Sequence, residues 1–429
     1  MIVHLAAMAC VLGLAVLNYY VGRRNVLYPA FLFSLIWLVV FLLYMVPLIE
    51  VNKVGAYTLA IVVCGVAAFS AGAAVVRRRT YSRVGTVSIC RNTIAKRLIF
   101  LSCLVILPGF FLELRELSDR GGLDSFMISA RVGIVDAVTN GEKPFSSPVY
   151  TFAPTLAIFT AFIFLIEVRE WSRERIWVCA PILTAVVFSV LTTGRASPLF
   201  LISGLVGVFL LKSRQYSAKE AWKFVRWPLV ATLTLFSVLV PLNKNISGMS
   251  GGTSEALAEF VFGYAVIPLA GFDYVVYHPA EYKYEPNHTF QQVLPVLARF
   301  LGFSYTPPPL LDDFVSTPIP TNVFTVFKYF YIDFGLTGML IIIFLIGIIQ
   351  TWLFEKALTG EHLYVFLFAV SLYPLLMVGF DDQYWPIRNH IVAVLFGLFY
   401  FRVLRTIPVR AGAGLGPSRS NGLIQNSNP

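Results

Sequence analysis

Asp333 stands in the run "FKYFYIDFG", five residues after Lys328 and ahead of "LTGMLIIIFLIGIIQTWLF", in which no residue is charged. An ionisable group that close to an apolar run is costly to desolvate, so it marks either a structural ion pair or a functional site. Arg195, in "TTGRASPLF", poses the same problem: residues 176–211 contain no other charge. The loop "GFDDQYWPIRNH" gathers Asp381, Asp382, Arg388 and His390 between two further apolar runs. Arg131 lies in "MISARVGIVDAV", and His288 and Arg299 lie in "NHTFQQVLPVLARFLGF". Guanidinium groups form a planar fork that fits phosphate, and a carboxylate or imidazole can take a proton from an attacking hydroxyl. Together the two suit transfer from a phosphate-activated donor, in which fixed cations offset the charge building on the leaving group. The candidates for the chemistry itself are Arg195, Asp333, Asp381, Asp382 and His288. Arg131, Arg299, Lys328 and Arg388, with Tyr329 and Tyr331, are the candidates for holding substrate. The competing explanations are an arginine that snorkels to lipid phosphate, a salt bridge between Asp333 and a nearby cation, and aromatics of an interfacial belt.

The elements that must carry these residues are membrane spans. The chain has 429 residues, of which 57% are hydrophobic and 13% charged, about half the charge of a soluble domain. Apolar runs near 2–21, 26–49, 54–76, 97–114, 148–167, 176–193, 197–211, 227–242, 327–353, 362–379 and 390–404 make about eleven spans of bilayer length. The first reads as a retained helix, because no small-residue cleavage site follows it. Residues 176–211 would be about 54 Å long as one helix, far more than a hydrocarbon core. They must fold as a hairpin with "TTGRAS" at its tip. The expected class is therefore an all-α polytopic integral membrane protein. A single membrane domain covers 1–405, and a Gly/Ser/Asn-rich tail over 406–429 reads as disordered.

The net charge of +10 reads as a topology signal, not as a nucleic-acid footprint. If the N-terminus faces outward, the inner loops hold twice as many lysines and arginines as the outer ones, and the positive-inside rule places the C-terminus inside. The candidate residues then share the outer side. Two outer segments, 113–147 and 243–326, exceed simple turns. Within the second, "ALAEFVFGYAVIPLAGF" reads as re-entrant or surface-lying. Thr289 and Gln292 form a capping-box pattern, and Phe290, Val293, Leu294, Leu297 and Leu301 share a face of an expected surface helix. The five cysteines include no CxxC pair. The DD pairs at 312–313 and 381–382 leave room for a metal, though nothing else spells out a metal site. No metal ligand is assigned and no cofactor is expected.

Three stretches, "TTGRASPLFLI", "NHTFQQVLPVLARFLG" and "PTNVFTVFKYFYIDFGLTGMLIIIFLIG", resemble the oligosaccharide repeat-unit polymerases, the Wzy-type O-antigen polymerases. The resemblance covers roughly 190–350. It implies a fold akin to the polytopic lipid-linked glycosyltransferases and a place in the bacterial inner membrane with the active side periplasmic. It also implies transfer of a growing glycan from undecaprenyl pyrophosphate to a new lipid-linked unit, without nucleotide sugars. Arg195 would be the family's periplasmic arginine, with Arg131, Arg299 and Arg388 matching by position only. The partners it implies are lipid-linked oligosaccharides, membrane lipids, a chain-length regulator and a flippase. An O-antigen ligase would use the same donor, and His288 on a long outer segment fits that alternative. A flippase would carry paired halves, and no such internal symmetry is visible in the sequence.

Overall fold

The residues described by a computed structural model are 2–46, 51–76, 93–121, 126–139, 142–168, 171–192, 196–213, 226, 253–278, 288–305, 314–317, 320–380, 382–384 and 387–404. They form a helical bundle. Its elements are α1 (Ile2–Val21), α2 (Pro29–Met45), α3 (Ala56–Val75), α4 (Thr93–Gly121), α5 (Phe126–Thr139), α6 (Pro148–Glu167), α7 (Trp171–Leu191) and α8 (Ala196–Ser213). Then come α9 (Thr253–Tyr277), α10 (Leu294–Leu301), α11 (Phe327–Leu358), α12 (His362–Met377) and α13 (Ile387–Leu398), the last closed by a π-helical turn over Phe399–Val403. A minimal antiparallel bridge pairs β1 (Val315–Ser316) with β2 (Pro320–Thr321).

Six helices, α1, α3, α4, α6, α8 and α11, are long and apolar enough to cross a membrane. The helices α2 and α12, and the segments 176–191 and 265–277, are shorter apolar helices. Each expected span is met by a helix except 227–242, which lies outside the described residues, as do Arg195, Asp381 and the tail over 406–429. The hairpin is present: α7 ends at Leu191, α8 starts at Ala196, and the two pack together.

Three expectations need correction. The helix expected over 97–114 runs from Thr93 to Gly121, 29 residues, about 44 Å at 1.5 Å per residue, and α5 folds back on it. Gly133 of α5 sits so close to α4 that a Cβ there would meet the Leu117 carbonyl. The segment read as re-entrant is part of α9, a continuous helix of 25 residues that passes through Pro268. Leu269, Phe272 and Val276 of α9 are buried in the main core, so the C-terminal half of this helix is packed inside the bundle and does not lie on its surface. The surface helix starts at Leu294, not at Thr289, and its N-cap is Val293 with no side-chain cap bond. Pro295 in its first turn explains the late start, since proline disfavours a helical residue before it and lacks the N–H of an interior turn.

The bundle is fastened at the crossing of α3 and α11. A Cβ at Gly72 would meet the Phe344 carbonyl and one at Gly347 the Phe69 carbonyl. Small residues let two backbones approach in this way where lipid supplies no hydrophobic drive between helices. Above the crossing, Phe327 stacks on Trp37 at 5.0 Å, and Phe33 stacks on Phe69 at 4.2 Å. At α1, Asn18 Nδ2 donates to Ser34 Oγ (2.9 Å) and Ser70 Oγ (2.8 Å), tying three helices by one buried amide.

Candidate functional site

The sequence brings together what α11 alone could not. Gly335 has φ 66° and ψ −173°, a conformation that glycine reaches without the penalty of a Cβ. It breaks α11 into a short head, 327–334, and a long shaft, 336–358. Asp333 and Phe334 stand at the end of the head, beside the break.

The Asp333 carboxylate is engaged by a second segment. Its Oδ2 accepts from the Thr289 backbone N–H at 2.7 Å and its Oδ1 from that of His288 at 3.3 Å. Two backbone donors on one carboxylate fix the 3₁₀ turn His288–Phe290 onto the head of α11. Phe290 adds an edge-to-face contact with Phe334 at 6.2 Å. The His288 side chain is buried and its ring stacks on Tyr329 at 5.4 Å, with an interplanar angle of 20°.

Lys328 is fully buried on the head. Its Nζ lies 3.8 Å from the Phe324 ring centroid and 4.8 Å from that of Tyr329. Aromatic faces stabilise a desolvated ammonium, so the cation sits against two rings, of which Tyr329 also stacks on the His288 imidazole. Tyr331 faces away from these rings and meets Phe272 of α9 edge-on at 5.8 Å. Asp333, His288, Lys328 and Tyr329, four of the residues expected from sequence, thus converge from segments about 40 positions apart.

The other candidates are distributed differently. Asp382 is buried, and its Oδ1 accepts from the Tyr384 N–H at 2.9 Å, an Asx-type turn. The Tyr384 hydroxyl receives a bond from Gln350 Nε2 at 3.0 Å, and the same amide donates to the Ser371 carbonyl at 3.1 Å. The segment after α12 therefore reaches into the bundle, against the shaft of α11. Burial pushes the Tyr384 phenol above its ordinary range, so it stays protonated. Arg388 is exposed at the head of α13, its guanidinium 5.7 Å from the Phe152 ring centroid. Arg299 is exposed on α10 and Arg131 is half-buried on α5. Arg131, Arg299 and Arg388 thus stand on three different helices, and Arg195 lies outside the described residues. Among the described residues no group of His, Cys, Asp and Glu has the makings of a metal site.

Sequence reasoning missed the polar residues beside His288. The Thr289 Oγ1, Gln291 Oε1 and Gln292 Oε1 atoms are buried and have no hydrogen-bond partner. A capping-box reading had assigned Thr289 and Gln292 to each other. The signal that could have corrected it is Pro295, which moves the helix start past both. Sequence reasoning also missed a cluster at the opposite end of the bundle. There Lys96 Nζ lies 3.4 Å from Glu167 Oε2, with both side chains buried, and the Tyr400 hydroxyl donates to Glu167 Oε1 at 3.1 Å.

No protein-family model matches this chain, and neither a curated protein nor a solved structure matches it.

Proposed function

We propose that the protein is a membrane glycosyltransferase that polymerises oligosaccharide repeat units carried on undecaprenyl pyrophosphate. One observation supports the reading above the rest: Asp333 fixes the His288 turn to the head of α11, beside the buried Lys328. An imidazole, a carboxylate and an ammonium then occupy one end of a lipid-embedded bundle. In this reading His288 is the general base that takes the proton of the acceptor sugar hydroxyl. Asp333, with both oxygens already occupied by backbone donors, positions His288. The C–O bond from the donor glycan to its pyrophosphate breaks as the acceptor oxygen attacks, and undecaprenyl pyrophosphate leaves with the bonding electrons. Lys328 and the arginines offset the charge that builds on that leaving group. Arg195 at the α7–α8 tip keeps the phosphate-clamp role, and Arg131, Arg299 and Arg388 the role of steering the anionic headgroups.

The basic loops support an inner-membrane placement with the N-terminus and the Asp333 end facing the periplasm, and about eleven spans in all. A flippase and a chain-length regulator of the same pathway are the expected partners. Deleting the gene in its host and running the surface glycan on a gel tests the reading. Caps of a single repeat unit in place of a ladder are expected. Long polymer retained on the lipid carrier would identify a ligase instead, and an unchanged ladder would remove the proposal.

A further inference from the structure

We infer that the turn Thr289–Gln292 is a sugar subsite, taking hydroxyl or N-acetyl N–H groups of a glycan residue next to the lipid carrier. Three polar oxygens in four consecutive residues are buried without partners, and the side chains of Thr289 and Gln291 are each 5% exposed. Buried polar atoms are nearly always hydrogen-bonded, so a run of exceptions calls for a ligand. The identity of the atoms selects that ligand. Thr289 offers a hydroxyl and each glutamine an amide, and the Asp333 carboxylate is held on the same turn. A phosphate would meet charge against charge. A neutral sugar, rich in hydroxyl donors, satisfies all three oxygens. The neighbouring element fixes the level at which that sugar is met. On α10, Val296, Phe300 and Leu301 are respectively 66%, 86% and 66% exposed, an apolar surface suited to the lipid headgroup boundary. The turn leading into α10 is therefore held where the first sugars of a lipid-linked chain emerge.

This subsite rests on the glycosyltransferase reading for its choice of glycan, and its test is separate from the deletion phenotype. The full chain in lipid nanodiscs is titrated with the repeat-unit oligosaccharide of the host's own surface polysaccharide, freed of its carrier lipid, and separately with inorganic pyrophosphate. Saturation-transfer NMR reads the glycan. Gln291→Leu and Gln292→Leu are each expected to weaken glycan binding roughly tenfold, the effect of losing about one hydrogen bond, and to leave pyrophosphate binding unchanged. The leucine variants are expected to melt at the same temperature or higher, because an apolar isostere removes an unsatisfied oxygen. Absence of glycan binding to the native chain, binding unchanged in the leucine variants, loss of pyrophosphate binding, or a lowered melting temperature would each overturn the subsite. Glycan binding that depends on Gln291, together with an unchanged ladder on gene deletion, would keep the subsite and remove the polymerase.

Discussion

The two ends of the bundle treat buried polar groups in opposite ways. At the Lys96 end they are paired. Lys96, Glu167 and Tyr400 join α4, α6 and the turn after α13. Lys212 at the end of α8 donates to the carbonyls of Leu165 (2.8 Å), Ile166 (3.0 Å) and Val168 (2.6 Å), closing the C-terminus of α6. Helix ends leave carbonyls that need such donors, and a cation there also suits the helix dipole. At the Asp333 end, α11 is broken at Gly335, an ammonium is lodged among rings, and a turn presents oxygens with no partner. Both ends carry buried charge. The difference lies in how closely the atoms without a hydrogen-bond partner fall: three on the Thr289–Gln292 turn, against scattered single ones such as Thr351 Oγ1 and Glu167 Oε2 toward the Lys96 end, the latter still facing Lys96. In the function proposed above, the paired groups hold the spans together and the open turn at the Asp333 end is where substrate is received.

Substitutions should separate the two ends along the same line. The largest effect is expected from Asp333→Ala, which frees the His288 turn. Chain extension should fall by at least about a hundredfold, the usual scale of losing a positioned base, while the protein still accumulates in the membrane. Gel analysis of the complemented deletion strain reads this, and a full ladder from Asp333→Ala would dissolve the contrast. Next is Glu167→Ala, which leaves Lys96 buried without its carboxylate. A loss of about 3–5 kcal/mol is the usual result of breaking such a pair, and it should appear as a lower unfolding temperature in detergent. Activity per folded molecule should be unchanged, and a selective loss of activity would place function at both ends. Lys212→Met should cost about 1 kcal/mol through the lost α6 cap, measured in the same thermal scan. Smallest is Arg402→Ala. The Arg402–Glu361 pair is solvent-exposed, with side chains 56% and 40% accessible, and exposed pairs contribute about 0–1 kcal/mol. A shift larger than that of Lys212→Met would show that this pair belongs to the buried network.

How much of this was legible in the sequence depended on which force decided each element. The spans were legible because hydropathy over about 20 residues is a strong local signal. Helix α6 begins at Pro148 and ends at Glu167, as the apolar run suggested. The α7–α8 hairpin followed from length alone. The α4 extension to Gly121 and the inclusion of 256–272 in α9 were not legible, because both depend on packing against another element, the returning α5 for one and the core around Phe327 for the other. In the site, Asp333 and His288 were identifiable as anomalous residues, and Lys328 by its place beside an apolar run. Their mutual arrangement was not, since it depends on a left-handed φ at Gly335 and on two backbone N–H groups, neither of which has a side-chain signature. Gln292 was misread because a local pairing rule accounted for Thr289 and Gln292 before the ring of Pro295 was considered, and Gln291 carried no signal of its own.

The contact of Gly72 and Gly347 with the backbones opposite them has a mechanical consequence. With no side chain between them, α3 and the shaft of α11 have no shim to compress and no slack to slide in, so the pair behaves as a fixed post. Gly335 lies beyond the end of that post. The direction of the head relative to that post, and with it the aim of Asp333, is then set by the two dihedral angles of a single residue. Head and post lean together in the bilayer, so the aim of Asp333 is carried by the whole pair of helices.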